Sequence, residues 1–473
     1  MGFNFRFWGR QITCLLRSHS STAVSDAAAA EQTHALKNFD LSDTRSLFSS
    51  VSTFKLLRSA LILQLVSMEK VTDLGTIAMN SAINSRGGVG ALWRGLVLGT
   101  VKHTFFKHFC AGETAADAMQ CVQRIHGTGM RGMLDFAVEF ATDNASCDAN
   151  FAGFLNTIES SSPAVSFVAV KVTAIFPLHL LERISDLLRW QRRESSTHLP
   201  WKEASFPIFS DSSPLYHTLT KPDPLSPAEE EDLWLGYQRL STLCERCAVV
   251  GVPLVVDAEH TKVQPAIDYI TYTAAMRFNR AGIPVVYNTI QSYLRDAKDR
   301  LILAAEASEK MGVPMGFKLV RGAYMTSERK EAKELGFESP IHSTILETHT
   351  CFNDCASYLL EKISRGHGAA VLATHNIESG RMAAAKAGEL GIAKKGKIEF
   401  AQLYGMADSL SFGLRNAGVG VSKYMPYGPV DKVIPYLVRR AEENRGVLCS
   451  SSIDRELMRM ELIRRAKKGF FHA

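Results

Sequence analysis

No apolar stretch of the 473-residue chain reaches the roughly 18 residues that a bilayer-spanning helix needs, so any membrane contact is expected to be peripheral. Carboxylates are missing from the first 25 positions, where Arg6, Arg10 and Arg17 stand among hydroxylated and apolar side chains ahead of Asp26. That pattern reads as a mitochondrial transit peptide, because a secretory signal has a longer uninterrupted apolar core. Long blocks of one charge are absent too. With 54 Lys and Arg against 48 Asp and Glu, the net +6 is a modest excess and gives no footprint for nucleic acid.

Patterned cysteine is also lacking. The nine cysteines, an odd number, form no disulfide framework, which suits a reducing compartment such as the mitochondrial matrix. Cys244 with Cys247 and Cys351 with Cys355 lie in helix-like text without the glycine-bearing knuckles of zinc sites, and read as buried free thiols. No Walker A loop and no G-x-S-x-G elbow occurs. The nearest dinucleotide fingerprint, "GVGALWRG" at 88–95, lacks the third glycine and follows no credible strand, which argues against a Rossmann site.

What is present is a globular chain, 46% apolar, whose text changes character near residue 130. Residues 1–34 read as presequence and a flexible joint, and 35–130 as an amphipathic helical arm. From 131 to 465, eight short β-branched runs alternate with helical segments: 132–139, 165–175, 252–259, 284–291, 315–322, 369–376, 397–405 and 419–428. Strands that are nearly continuous in apolar character are buried on both faces, the habit of parallel sheets covered by helices. Eight such units over this length predict a (β/α)8 barrel of the TIM type, with a doubly wound open sheet as the alternative. Residues 193–230, rich in Pro, Ser and mixed charge, read as a surface insertion, and 466–473 as a tail.

The carboxyl ends of barrel strands are where catalytic side chains project, and here those ends are polar. The second run carries Lys171, the third ends in Asp257, Ala258 and Glu259, and the fourth ends at Gln291. The fifth carries Lys318 and Arg321 ahead of Tyr324, and the sixth ends in Thr374, His375 and Asn376. The seventh presents Gln402 and Tyr404 beside Leu403, and the eighth holds Tyr424. Each has a plainer reading: Lys171 can snorkel to the surface, Asp257 and Glu259 can cap the next helix, and His375 with Asn376 can form a satisfied turn. Metal ligation by Glu259, His260 and His375, as in a metal-assisted lyase or hydrolase, matches no recognised ligand spacing. Recurrence of polar groups at one edge favours a site.

Near the end of the chain, "PYLVRRAEEN" places Tyr436, Arg439, Arg440 and Glu443 on one helical face. Solvated ion pairs are the ordinary role of such a face. Two adjacent guanidiniums also form forked, charge-assisted hydrogen bonds with a small carboxylic acid, provided the Gly and Pro of "YMPYGPVDKVI" turn the helix back over the barrel mouth.

The blocks "VVDAEHT", "FKLVRGAYM", "ATHN", "EFAQLYGMAD" and "YLVRRAEEN", in this order, resemble the signature blocks of the proline dehydrogenases, closest to the mitochondrial plant-type members, and the resemblance covers about 130–465. It implies a distorted barrel with FAD, oxidation of L-proline to 1-pyrroline-5-carboxylate by hydride transfer to flavin N5, and electrons passed to ubiquinone. It also implies peripheral contact with the matrix side of the inner mitochondrial membrane and functional coupling to pyrroline-5-carboxylate dehydrogenase. Hydroxyproline dehydrogenase is the alternative within the same fold. By resemblance Arg439, Arg440 and Lys171 hold the substrate carboxylate, while Tyr324, Leu403 and Tyr424 wall its ring. Asp257 lies near Tyr424, and Glu443 joins the same polar network. Gln291 and Lys318 face the flavin ring, and Ala258, Val320, Arg321, Gly322, Ala323, Thr374 and His375 hold the rest of the cofactor. Lys318 is a departure, since many bacterial members carry Arg there; either cation donates a hydrogen bond, but the guanidinium fork is lost.

Overall fold

The computed structural model describes residues 39–470 apart from 86, 209–216, 281, 283, 395 and 447, so the presequence lies outside the described residues. Eight strands, β1 (Arg131–Phe136), β2 (Val165–Val170), β3 (Leu254–Val256), β4 (Val286–Gln291), β5 (Gly316–Val320), β6 (Ala369–Ala373), β7 (Ile398–Leu403) and β8 (Val421–Tyr427), each pair in parallel with the next. Since β1 also pairs in parallel with both β2 and β8, the sheet closes into a barrel. The barrel excludes the open-sheet alternative. Each strand is shorter than the apolar run that announced it; β2, β3, β5 and β6 end before the polar residues at their carboxyl ends, whereas β4 keeps Gln291 paired with Val320 and is shorter at its amino end.

Period-two alternation decides what lies inside. Met133, Phe167, Ala169, Val255, Tyr287, Val371, Ala401 and Tyr424 fill the barrel. Their neighbours Leu134, Val168, Leu254, Val256, Leu319, Leu372 and Phe400 face outward into the layer of helices. This alternation corrects the reading of the seventh run. Leu403 faces inward, whereas Gln402 turns outward, accepting from Ser411 Oγ at 2.9 Å, and Tyr404 packs on the outer core.

The residues ahead of β1 are helical. The helices Thr53–Val66, Glu69–Asn84 and Gly88–Val101 turn Ile62, Val66, Met79, Ala82, Val97 and Val101 toward Val433, Ile434, Tyr436 and Leu437 of the Val430–Gly446 helix. The arm thus holds in place the element that carries the arginine pair. It is joined to the rim at Gly405, after β7, where φ is +77° and an added Cβ would lie 2.4 Å from the His108 carbonyl oxygen. His108 Nε2 donates to the Gly405 carbonyl at 2.9 Å, and burial lowers the pKa of this imidazole to about 4.

Between the helices Leu178–Arg193 and Pro227–Val250 the described residues form no strand and no α-helix. Two aromatic side chains hold this segment to the helix Gln264–Phe278. Trp201 packs on Tyr269 and the buried Phe206 on Tyr272, at 5.7 and 5.3 Å between ring centroids.

Candidate active site

At the carboxyl end of the barrel an alternating chain of buried charges runs from β1 to β5. Lys171, one residue past β2, donates to both oxygens of Asp135 on β1 at 3.2 and 3.3 Å and lies 3.8 Å from Asp257, just past β3. Asp257 accepts from Lys318 on β5 through Oδ1 and from the Tyr424 hydroxyl through Oδ2 at 2.7 Å. All five side chains are buried. Charges removed from water survive only when paired, and this chain pairs each of them.

The electrostatics follow from that pairing. Burial alone would lower the Lys171 pKa, but Asp135 and Asp257 raise it well above the ordinary lysine value, so the ammonium stays charged. Burial pulls the two carboxyls upward, and Asp257, held by Lys318 and Lys171, nonetheless ends below its ordinary value, whereas Asp135 ends above. Burial and the neighbouring carboxylates push the Tyr424 phenol well up, so it remains a donor.

The Val430–Gly446 helix crosses this mouth. The chain turns at Gly428, with φ +144°, and the helix begins two residues later. Arg439 makes a two-pronged ion pair with Glu139, at 2.5 and 2.9 Å, and its guanidinium lies 5.4 Å from the centroid of the Tyr324 ring. Glu139 follows β1 and Tyr324 follows β5, strands on opposite sides of an eight-stranded barrel. A side chain touching both must lie across the opening. Arg440 is buried, with its guanidinium 5.0 Å from the Tyr436 ring centroid. Burial first, then the charges of Lys423, Arg440 and Arg321, lower the His375 pKa to about 3, so that imidazole is neutral.

Two of the plainer readings of the rim residues are replaced, and the third, a satisfied turn at His375 and Asn376, holds. Lys171 does not snorkel; it is enclosed between two carboxylates. The Gln264–Phe278 helix has no side-chain cap, so Asp257 and Glu259 do not serve there. Glu259 is bound to the Thr173 backbone and hydroxyl, and His375 Nε2 accepts the Leu403 N–H at 3.0 Å, which engages the atoms that a metal would need. Asn376 is the N-cap of the Ile377–Glu389 helix. Cys244 and Cys247 are buried thiols whose pKa values burial raises.

Two residues escaped the sequence reading. Asp135 and Glu139 both lie in "GMLDFAVE", a run that contributed no candidate. A carboxylate in the middle of apolar strand text is the same signal that marked Lys171, and Glu139 stands at the same edge as the other candidates. The side chain of Glu443 lies outside the described residues.

Comparison with known proteins identifies the relatives of this site. The family described as proline dehydrogenase matches residues 118–452. The chain belongs to the proline dehydrogenase family. Two Arabidopsis thaliana proteins, proline dehydrogenase 2, mitochondrial, and proline dehydrogenase 1, mitochondrial, are 52% and 53% identical to it. The matches cover 94% and 93% of this chain and 94% and 88% of theirs. Human hydroxyproline dehydrogenase is 32% identical over 89% of this chain and 93% of its own. Among solved structures, proline utilization A from Bdellovibrio bacteriovorus superposes with a TM-score of 0.64 at 20% identity, covering 92% of this chain and 44% of that one, a likeness of fold. The chain is therefore an oxidoreductase of the proline dehydrogenase family.

Beside the charged chain, toward β5 and β6, lies the group of residues that the family resemblance assigns to a cofactor. Arg321 is largely enclosed, and its guanidinium donates to Thr374 Oγ1 at 2.6 Å, to Ser379 Oγ at 2.9 Å and to His349 Nδ1 at 3.1 Å. Those partners are all neutral, and burial lowers the Arg321 pKa to about 10. Gly322 has φ +142°, and an added Cβ would meet the Tyr293 ring at 2.4 Å, so the backbone from Val320 to Ala323 can pass there only as glycine. Gln291 is buried and donates to the Glu259 carbonyl at 2.9 Å, which turns the backbone beside Ala258 toward β4. The Lys318 ammonium lies 4.7 Å from the Tyr424 ring centroid, between the residues that the resemblance assigns to the cofactor and those it assigns to the substrate.

Proposed function

We propose that the enzyme oxidises L-proline to 1-pyrroline-5-carboxylate with FAD as its redox group, and delivers the electrons to ubiquinone at the inner mitochondrial membrane. The observation that carries this reading is the buried rim of paired charges with Arg439 and Arg440 laid over it. Among the described side chains, Lys171, Lys318 and Arg439 are paired with Asp135, Asp257 and Glu139, and Arg440 lies buried beside them, so that an incoming carboxylate meets two adjacent guanidiniums. Two guanidiniums hold such a carboxylate in a fixed plane.

The residues present fit FAD. Arg321 is a charged group pinned by neutral donors and acceptors, the arrangement that a pyrophosphate completes, and Gly322 allows close approach of the backbone. Gln291 and Lys318 would meet the ring system; Ala258, Val320, Ala323, Thr374 and His375 would hold the remainder. FAD, when bound, supplies the hydride acceptor.

The protein's own part is orientation and charge. Arg440 and Arg439, the latter held by Glu139, fix the acid group, and Tyr324, Leu403 and Tyr424 enclose the ring so that the carbon beside nitrogen has one position. The cluster of cations there disfavours an ammonium and so favours the neutral amine that oxidation requires. Tyr424, held by Asp257, occupies the space beside the ring and favours proline over its hydroxylated form. The helix across the mouth excludes water. Mitochondrial naming of the plant relatives and the acid-free amino terminus support the location, and among the described residues no helix is long and apolar enough to cross a membrane, in keeping with peripheral attachment.

Anaerobic titration with L-proline tests the reading: one equivalent per FAD should bleach the flavin absorbance. A yellow protein that proline leaves unbleached, or a protein that retains no flavin, would refute it.

A further inference from the structure

The arm presents an apolar face that no part of the described structure covers. On the Glu69–Asn84 helix, Leu74 and Ile77 are 69% and 65% exposed, and on the Gly88–Val101 helix, Val89, Leu92 and Leu96 are 83%, 77% and 66% exposed. The spacings of three and four residues make each set a single stripe, and the two helices pack against one another. Their opposite faces are the ones already engaged, through Met79, Ala82, Val97 and Val101, with the helix that carries Arg439 and Arg440. A third stripe, Phe54, Leu57, Leu61 and Leu65, is exposed along the Thr53–Val66 helix. An apolar area of this kind on three adjacent helices exceeds what scattered surface hydrophobes explain.

Charge says what covers it. Between residues 53 and 107 the sequence holds seven Lys and Arg against two acidic residues, Glu69 and Asp73, an excess of five in a chain whose total is +6. Arg94 is paired with Asp431 and Lys102 with Glu113, and Lys55, Arg58 and Lys107 line a cavity with His108 and Tyr404, while the exposed Lys70 stands four residues ahead of Leu74 in the same row. Exposed leucines in line with a lysine, on an arm of this net positive charge, are complementary to an anionic lipid surface, into which amphipathic helices settle by their apolar side while cations meet the headgroups.

We propose that the face formed by the helices Thr53–Val66, Glu69–Asn84 and Gly88–Val101 inserts into the surface of an anionic bilayer. This rests on the reading that the enzyme works at a membrane, and it adds which surface makes the contact. Because the same helices support the Val430–Gly446 helix from behind, the bilayer lies one helix layer from the barrel mouth. A lipid-soluble acceptor therefore reaches the site without crossing the aqueous phase.

The test is sedimentation of the full-length, flavin-loaded protein with vesicles of phosphatidylcholine and cardiolipin, compared with phosphatidylcholine alone. The combined variant Leu74→Gln, Ile77→Gln, Leu92→Gln and Leu96→Gln should lose at least about tenfold in vesicle affinity and keep its proline-dependent reduction of a water-soluble dye. Wild-type binding should be stronger on the cardiolipin vesicles and weaken with salt. As a measurement independent of that variant, brominated acyl chains should quench Trp93, the quenchable fraction disappearing in Trp93→Phe. Vesicle binding by the combined variant equal to wild type overturns this surface while leaving a membrane-bound enzyme intact. Failure of the wild type to bind either vesicle overturns both ideas, and a wild-type dimer that the variant breaks would assign the face to a second copy.

Discussion

Arg439 and Glu139 are joined by two parallel hydrogen bonds, and through them the last barrel helix is tied to the segment that follows the first strand. Burial would raise the Glu139 pKa, but Arg439 by charge and hydrogen bond holds it below the ordinary 4.5. A group depressed in the folded state contributes stability that is present above its unfolded pKa and lost as pH falls through the folded one. Glu139→Gln should therefore cost about 2–3 kcal/mol at neutral pH, a little below a fully buried pair because Arg439 keeps some solvent contact. The difference from wild type should close on acidification below pH 4.5. Addition of a non-oxidisable proline-like carboxylic acid should restore part of the loss, because its carboxylate replaces the missing partner. Thermal unfolding with and without the acid checks both statements.

Arg440 makes a different demand. It is buried at the mouth beside the neutral His375, and Arg440→Met removes a charge that the substrate carboxylate would otherwise meet. Loss of one partner of a desolvated pair costs about 3–5 kcal/mol. The proline KM should rise by about two to nearly four orders of magnitude, which is what that energy converts to, with flavin content unchanged. An unaltered KM would remove Arg440 from the carboxylate site.

The barrel was legible because the strand runs are rich in apolar, β-branched residues and most are followed by helical text; strand number survives small errors at each boundary. The site was legible where polarity interrupts that text, as at Lys171, Asp257 and Lys318, which the structure brings within one hydrogen-bonded chain. Partnership was not legible. Nothing local to "GMLDFAVE" says that Asp135 and Glu139 complete charges lying 36 and 300 residues further along. The opposite failure occurred on β7, where Gln402 and Tyr404 sit at the polar edge yet face outward, since alternation assigns only Leu403 to the mouth. Edge position and strand parity together decide a rim residue, and only the first can be read without a fixed register.

Glu259 predicts an inverted pH dependence. It is fully enclosed, and burial raises its pKa to about 7 despite the Thr173 hydrogen bonds. A carboxyl that binds its proton more tightly when folded stabilises least where it must ionise, so stability declines as pH rises from 4.5 through about 7. Glu259→Gln, nearly isosteric and uncharged, should match wild type near pH 5 and exceed it at pH 8 by about 2–3 kcal/mol. Unfolding midpoints in denaturant at the two pH values give the comparison, and a variant less stable at pH 8 would contradict it.

Arg321 separates cofactor binding from substrate binding. Its guanidinium has three neutral partners and stacks 4.4 Å from the Phe352 ring centroid, so its position does not depend on a protein carboxylate. In a structural ion pair, removing the cation would strand a buried anion and unfold the region; none of these three partners would be left charged. Arg321→Met, which keeps much of the packing on Phe352, should therefore leave thermal stability of the flavin-free protein within about 1 kcal/mol, while the flavin affinity falls by a hundredfold or more, since a desolvated phosphate loses its charged partner at about 3 kcal/mol. The ratio of flavin to protein absorbance after gel filtration reports the loss, and unfolding of the flavin-free form reports the scaffold. Retention of flavin at the wild-type ratio would assign Arg321 to the scaffold and leave the pyrophosphate to the backbone at Gly322.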